Sequence, residues 1–406
     1  MKIQRFQVVG LFGCREPIHI NFTDNIHVLS GKNGAGKTTI MKLIWYFISG
    51  NLEKALIEVP FKEATIETDI YTLKVIVNED QDTPFETIFS YNNKNLLDKE
   101  IAEINPDELN SHVKHILTKF IGTSFFFPTF RNIEGGFTTE KYNIKHELFQ
   151  HLLLNNSQKN PDNINLIDDF RILSKKISNK DHKFITSISA SNINELLIGK
   201  YAEVMSLIQP YEDKRKELSN NIFQSFEFKN GEVFLIDNAD QNQVSELQKE
   251  IISLEEQINE FRKPLKRFHD SIKFFLKDYK FHFGHSVQFT RLDKKIDQPK
   301  RTRLQELLGI VAPESLLDIS ILSAGEKQIL SLIGYNAIYD NTIFFIDEPE
   351  ISLHADWQRI LFRILMKQNP SNQFIISTQS PFIYSKYPKN EVCVDSQLDR
   401  GDSEGV

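Results

Sequence analysis

Nine residues constrain this chain more than any others. Gly31-Lys32-Asn33-Gly34-Ala35-Gly36-Lys37-Thr38-Thr39 follows the apolar run Ile26-His27-Val28-Leu29, and Ile40, Leu43, Ile44 and Phe47 come next at helical spacing. The order predicts a strand, a glycine-rich turn and a helix over Thr39 to Ser49. Such a turn points backbone N–H groups inward, and the helix N-terminus adds its partial positive charge, so together they cradle a triphosphate. Gly31, Asn33, Gly34, Ala35, Gly36, Lys37, Thr38 and Thr39 are therefore the expected ATP-binding residues. Lys37 is placed to meet the β- and γ-phosphates, and the Thr38 hydroxyl to ligate Mg²⁺.

Far downstream, Ile343-Phe344-Phe345-Ile346 reads as a buried strand that ends in two acids, Asp347 and Glu348. Successive strand side chains point opposite ways, but a turn at the strand's end lets both carboxylates face one site. Taken alone, such a pair also serves as a helix N-cap. Beside the glycine-rich turn, Asp347 is the expected partner of Mg²⁺, and Glu348 the group that orients and deprotonates an attacking water. Shortly before it stands Leu322-Ser323-Ala324-Gly325-Glu326-Lys327-Gln328. Its serine opens a helix and can present donors to an anion, while Ser323 and Glu326 also have capping-box spacing, and both readings can hold together.

That segment resembles the signature motif of ABC-type ATPases, and the whole is similar to the SMC, RecF and OLD group rather than to transporter subunits. Residue 322 lies 283 positions beyond residue 39, a separation that suits a group inserting helices between its motifs. The resemblance implies an α/β fold: an ABC-type P-loop ATPase head carrying a helical, short coiled-coil insertion. It also implies that Ser323, Gly325 and Glu326 complete the ATP site of a second copy, so ATP would be hydrolysed in a homodimer or higher homo-oligomer. Glu350-Ile351-Ser352-Leu353-His354 resembles the group's loop after the acid pair, which packs across the dimer. Where the group carries a switch histidine, this chain reads Ser377-Thr378-Gln379-Ser380-Pro381. Gln379 can donate a hydrogen bond to a γ-phosphate but cannot carry charge or move a proton, which implies slow turnover, unless it merely caps the strand. Arg131 is a candidate for the reporter that the first lobe otherwise lacks.

The segment Phe127-Pro128-Thr129-Phe130-Arg131-Asn132-Ile133-Glu134-Gly135-Gly136 resembles one in stand-alone ATPases of bacterial anti-phage systems, of the PARIS AriA-like and the Septu or retron PtuA-like types. This implies a sensor or scaffold ATPase that controls a separate effector, a nuclease or toxin. A RecF-like repair ATPase that clamps DNA, and a scaffold using ATP as structural glue, are the alternatives.

A chain of 406 residues exceeds one compact core, so two structural units are expected. The reading divides it into a first ATPase lobe over 1–135, an insertion over 136–284, a second lobe over 285–394 and a flexible tail over 395–406. Strands are expected near Ile3 to Val8, Ile18 to Phe22, Ala64 to Val77, Glu86 to Tyr91, Ser124 to Phe127 and Phe374 to Ser377. In the insertion, Leu197, Tyr201, Val204, Ile208, Tyr211, Leu218 and Ile222 form one apolar seam, broken by Arg215. A second runs from Val244 through Leu254, Ile258, Phe261 and Phe268 to Phe275, and the turn-like Lys229-Asn230-Gly231 lies between. An antiparallel helical hairpin follows, either projecting as a coiled coil or packed on a lobe, with kinks expected at Pro210 and Pro264. The net charge of −7 argues against a wholly basic nucleic-acid coat and leaves room for a local basic face, so nucleic acid stays open as a partner. Two distant cysteines, the absence of a leader and of a long apolar run predict a cytoplasmic protein that does not enter a membrane. The histidines lack metal spacing and the remaining acids lack a nuclease motif.

Overall fold

The computed structural model describes residues 1–13, 16–78, 85–91, 122–129, 132–133, 166–224, 226–229, 232–235, 241–292 and 316–394. Strands β1 (Ile3–Val9), β2 (Ile18–Asn21) and β3 (Ile26–Ser30) lead into helices α1 (Lys37–Ile48) and α2 (Leu52–Glu58). Then come β4 (Glu63–Thr68), β5 (Tyr71–Val77), β6 (Phe85–Tyr91), β7 (Ser124–Phe127), β8 (Asn132–Ile133), α3 (Leu166–Ile177), β9 (His182–Phe184) and β10 (Ser187–Ile188). The next run holds α4 (Ala190–Gln224), β11 (Phe226–Lys229), β12 (Glu232–Leu235), α5 (Gln241–Ile272), β13 (Tyr279–Phe283), β14 (Val287–Arg291) and β15 (Leu317–Asp318). It closes with α6 (Ala324–Ile338), β16 (Ile343–Asp347), α7 (Ala355–Gln368), β17 (Gln373–Ser377), α8 (Pro381–Tyr384) and β18 (Glu391–Cys393). The protein is α/β, and among the described residues no helix is long and apolar enough to cross a membrane.

The chain separates into two compact units. The first comprises 1–189, 322–329 and 339–406, the second 190–321 and 330–338. These divisions differ from those expected at 136 and 285. Pairing that composition does not reveal explains the first: β9 adds to the edge of the main sheet parallel to β7, and Asn51 donates to the last carbonyl of α3, so residues 166–189 belong with the head. The tail at 395–406 lies outside the described residues.

The first unit carries a parallel sheet in the order β18-β3-β17-β16-β7-β9. Both of its faces are covered, which is why its strands read as continuous apolar runs. Register turns those runs into aromatic rows. Phe344 stacks between Phe125 and Phe374, at 5.5 and 5.4 Å between ring centroids, while Phe126 stacks on Phe345 and Phe184. Helix α1 is apolar nearly all round and buried from Ile40 to Ile48 apart from Lys42. It packs on β16 and β17, and its Phe47 also meets Phe6 of β1 edge-on at 6.2 Å. The antiparallel sheet β2-β1-β4-β5-β6 shares that core, with Ala64, Ile66, Leu73 and Val75 turned inward. The strand expected from Ala64 to Val77 is two strands, because the Thr68 hydroxyl accepts the N–H groups of Ile70 and Tyr71 and closes a turn between them.

In the second unit α4 and α5 form the expected antiparallel hairpin around Val204, Ile208 and Ile258. Each remains one helix through its proline, Pro210 or Pro264. Arg215, the polar break in the seam, reaches across to Glu255 at 3.5 Å, and Glu212 meets Arg262 at 2.6 Å. Such exposed pairs set register more than stability. Between the helices lies a short antiparallel ribbon that periodicity did not reveal, with Lys229 opposite Glu232. A sheet of β13, β14 and β15 packs near the base of the hairpin, where Phe268 meets Phe281 and Phe283.

Candidate functional site

In a parallel sheet every carboxyl end leaves from the same edge, and there the loops converge. Register fixes the geometry here: Asp347 pairs with Ser377, Ser377 with Leu29, and Ile346 with Phe127. The glycine-rich turn after β3, the acids after β16, the turn after β17 and Thr129 after β7 thus start from one line.

The turn before α1 is built for an anion. Gly31, Gly34 and Gly36 have φ of 133°, 85° and 92°, a region side chains disfavour. At Gly36 a Cβ would also stand 3.2 Å from the Phe12 ring, whereas the space beside Gly34 is open. No side chain caps α1, so its first N–H groups face out of the helix without such a partner. Lys37 is only 6% exposed, and its Nζ donates to the carbonyls of Gly31 and Lys32 at 2.7 and 3.1 Å. A buried ammonium on two carbonyls suits a polyphosphate that can displace them.

Asp347 is fully buried and accepts from the Thr38 hydroxyl at 3.0 and 2.9 Å, and also from the Thr129 hydroxyl. Two hydroxyls and a carboxylate are hard oxygen donors of the kind Mg²⁺ takes, so these residues fit the ion. Glu348 has a left-handed φ of 48°, and its N–H donates to Ser377 O at 2.8 Å. This turn brings its carboxylate to the Gln379 amide, which donates to Glu348 Oε1 at 3.1 Å and also to Asn33 Oδ1 of the glycine-rich turn. Burial, then hydrogen bonding and repulsion from Glu350, push the Glu348 carboxyl up to about 7.

Direct bonds thus join Thr38 to Asp347, and Asn33 and Glu348 through Gln379, while Lys37 is held by the carbonyls of the turn itself. Ser323 and Glu326 form the capping box: the Ser323 N–H and hydroxyl both donate to Glu326 Oε2, at 2.7 and 2.8 Å. Gly325 lies against the acid loop, where a Cβ would come within 2.3 Å of the Ser352 carbonyl, and Gln328 donates to Pro349 O at 2.8 Å. His354 caps α7. Arg131 lies outside the described residues, as do residues 130 and 134–136 of the same segment. Local sequence pattern gives Thr129 and Glu350 no chemistry at this site. The available signals were a hydroxyl just past a strand that runs into proline, and a third acid in Asp347-Glu348-Pro349-Glu350.

A phosphate cradle after a strand, a buried acid beside its threonine and a second acid next to it define the site of a P-loop ATPase. The chain belongs to the AAA ATPase domain family AAA_15, whose model matches residues 1–384. It is similar to the retron Vc95 probable ATPase of Vibrio cholerae serotype O1 biovar El Tor, at 29% identity over 118 residues. That match spans 26% of this chain and 23% of the relative. Among solved structures it is similar to the Pyrococcus furiosus Smc head domain with an extended coiled coil bound to the C-terminal domain of ScpA, at 13% identity and a TM-score of 0.41, covering 95% of this chain and 91% of that one. The SMC head domain from Thermotoga maritima gives 10% identity and a TM-score of 0.42, covering 95% and 92%.

Proposed function

We propose that the chain binds Mg·ATP in this cradle and hydrolyses it slowly, as the sensor or scaffold ATPase of a bacterial anti-phage system that governs a separate effector, a nuclease or toxin. One observation supports the chemistry above all: Gln379 spans Asn33 of the cradle and Glu348 of the acid pair. Lys37 and the amides of the turn hold the phosphates, and Thr38 with Asp347 would hold Mg²⁺, which would supply charge neutralisation for the transferred phosphoryl group. Glu348 accepts a proton from the attacking water, whose oxygen displaces ADP from the γ-phosphorus. A base poised near neutral pH is suited to that step. Gln379 orients the water or the γ-phosphate without moving a proton, hence the slow rate. Ser323, Gly325 and Glu326 serve the nucleotide of a second copy, so two heads close on ATP. The defence role rests on the 127–136 resemblance and on similarity to the retron Vc95 probable ATPase.

Two variants test the chemistry. Lys37→Ala should lose most ATP affinity in calorimetry, because Lys37 is the buried cation of the cradle. Glu348→Gln should bind ATP normally and turn over at least roughly 10²-fold more slowly. Plating efficiency of phages on cells carrying the gene with its neighbours tests the role; protection that survives Lys37→Ala would remove ATP from it.

A further inference from the structure

We propose that Glu350 is a positioning residue for hydrolysis: its carboxylate fixes the turn at 378–380 so that the Gln379 amide spans Asn33 and Glu348. This rests on the reading of the site as one that hydrolyses ATP.

Oε1 of Glu350 alone accepts three donors, the Thr378 hydroxyl at 2.7 Å, the Gln379 N–H at 2.9 Å and the Ser380 N–H at 3.0 Å. Bonds to an ionised acceptor are shorter and stronger than neutral ones, and three on one oxygen leave the turn little freedom. Ser380 is buried, and its N–H is shared between Glu350 Oε1 and the Thr378 hydroxyl oxygen, each at 3.0 Å, with Thr378 itself bonded to Glu350. A second tie joins the same two segments: the Ser380 hydroxyl donates to Gln358 Oε1 at 2.6 Å, while Gln358 Nε2 donates to Leu353 O at 2.8 Å. The loop after β16 and the turn after β17 are thereby one piece, and Gln379 is the side chain that piece presents to the cradle. The same carboxylate also neighbours that of Glu348, so Glu350 borders both the turn and the acid that Gln379 meets. A placement error of about 1 Å at a reacting group is enough to slow chemistry severely, so the anchor matters to rate more than to binding.

The test is a double-mutant cycle on the full chain with Glu350→Ala, Gln379→Ala and the pair, read by steady-state ATP hydrolysis, together with hydrogen exchange of residues 378–385. Each single variant should lower kcat roughly tenfold, the scale of one bond to a charged group, with KM changed by less than about threefold. The pair should be no slower than either single, because both remove the same placement. Glu350→Gln, which keeps an acceptor oxygen and the side chain's shape, should lie between wild type and Glu350→Ala. Exchange should quicken at 378–385 in Glu350→Ala and stay unchanged in β3. Multiplying rate losses, single variants that turn over like wild type, or unchanged exchange would each overturn the proposal. Failure of the ATP reading itself would show elsewhere, as unchanged turnover in Lys37→Ala and Glu348→Gln, and the exchange measurement would still decide whether Glu350 anchors the turn.

Discussion

Two hydroxyls meet the Asp347 carboxylate, and only one belongs to the glycine-rich turn. Thr38 comes with the motif; Thr129 arrives from just past the end of β7, with two strands between β7 and β3 in the sheet. If both help place Mg²⁺, Thr129→Val keeps the volume, removes the donor and should raise the Mg²⁺ concentration needed for half-maximal ATP binding by about tenfold. Calorimetric ATP titrations across a Mg²⁺ series would measure it, and an unshifted midpoint would make Thr129 a cap on Asp347 alone. Gln379 is the other residue where chemistry can be added. Gln379→His supplies a titratable group in a place that now bridges two side chains, and hydrolysis should rise with a dependence around the usual imidazole pKa of about 6.5. Superimposable pH profiles for Gln379, His and Ala at this position would show that it acts only as a structural bridge.

At the scale of elements, the edge of the main sheet carries its own pH dependence. Trp45 of α1 donates to the Ser124 hydroxyl at 3.1 Å, and Ser124 Oγ lies 2.7 Å from His182 Nδ1, so a buried chain ties α1, β7 and β9. Burial, with Lys183 nearby, lowers His182 to about 4. The folded state therefore favours the neutral ring. Its contribution is complete above the unfolded pKa of about 6.5 and fades as pH falls from there towards the folded value. Denaturant unfolding at about pH 7.5 and about pH 4.5 should show a loss on the order of 2.5 kcal/mol that His182→Gln lacks; equal losses would place the acid sensitivity in the carboxylates. A second element-scale test sits where α6 meets the acid loop. A methyl at Gly325 would collide with the Ser352 backbone, so Gly325→Ala should lower stability by about 1–3 kcal/mol and disturb the loop that holds Glu348. An unchanged melting temperature with unchanged turnover would show that the loop yields freely. These two elements also mark what sequence could reveal. The glycine-rich turn, the acids after β16 and Gln379 were legible because their chemistry is written in contiguous residues at strand ends. Thr129, the three donors on Glu350 and the joining of β9 to β7 depend on pairings between residues 28 to 218 positions apart, and local pattern carries no record of those.

Across the whole molecule, the cradle and the signature are placed by different partners. Lys37, Thr38 and Gln379 gather with the acids, whereas Ser323 opens α6 at an exposed position with its N–H and hydroxyl turned onto Glu326. Such donors at a helix start suit an anion brought by another molecule, which fits the proposed closure of two heads on ATP. Ser323→Arg then separates folding from assembly. The position is exposed, so the long side chain costs the single chain little, while across a closed interface it would fill the space needed by the opposing γ-phosphate. The comparison is best made in the Glu348→Gln background, where bound ATP should persist. Light scattering should show a gain in mass on adding Mg·ATP to Glu348→Gln, and none once Ser323→Arg is added, with the two melting temperatures agreeing to within about 2 °C, as expected for a surface change. A double variant that still gains mass on ATP would mean that the copies associate through another surface and that the α6 N-terminus serves its own chain only.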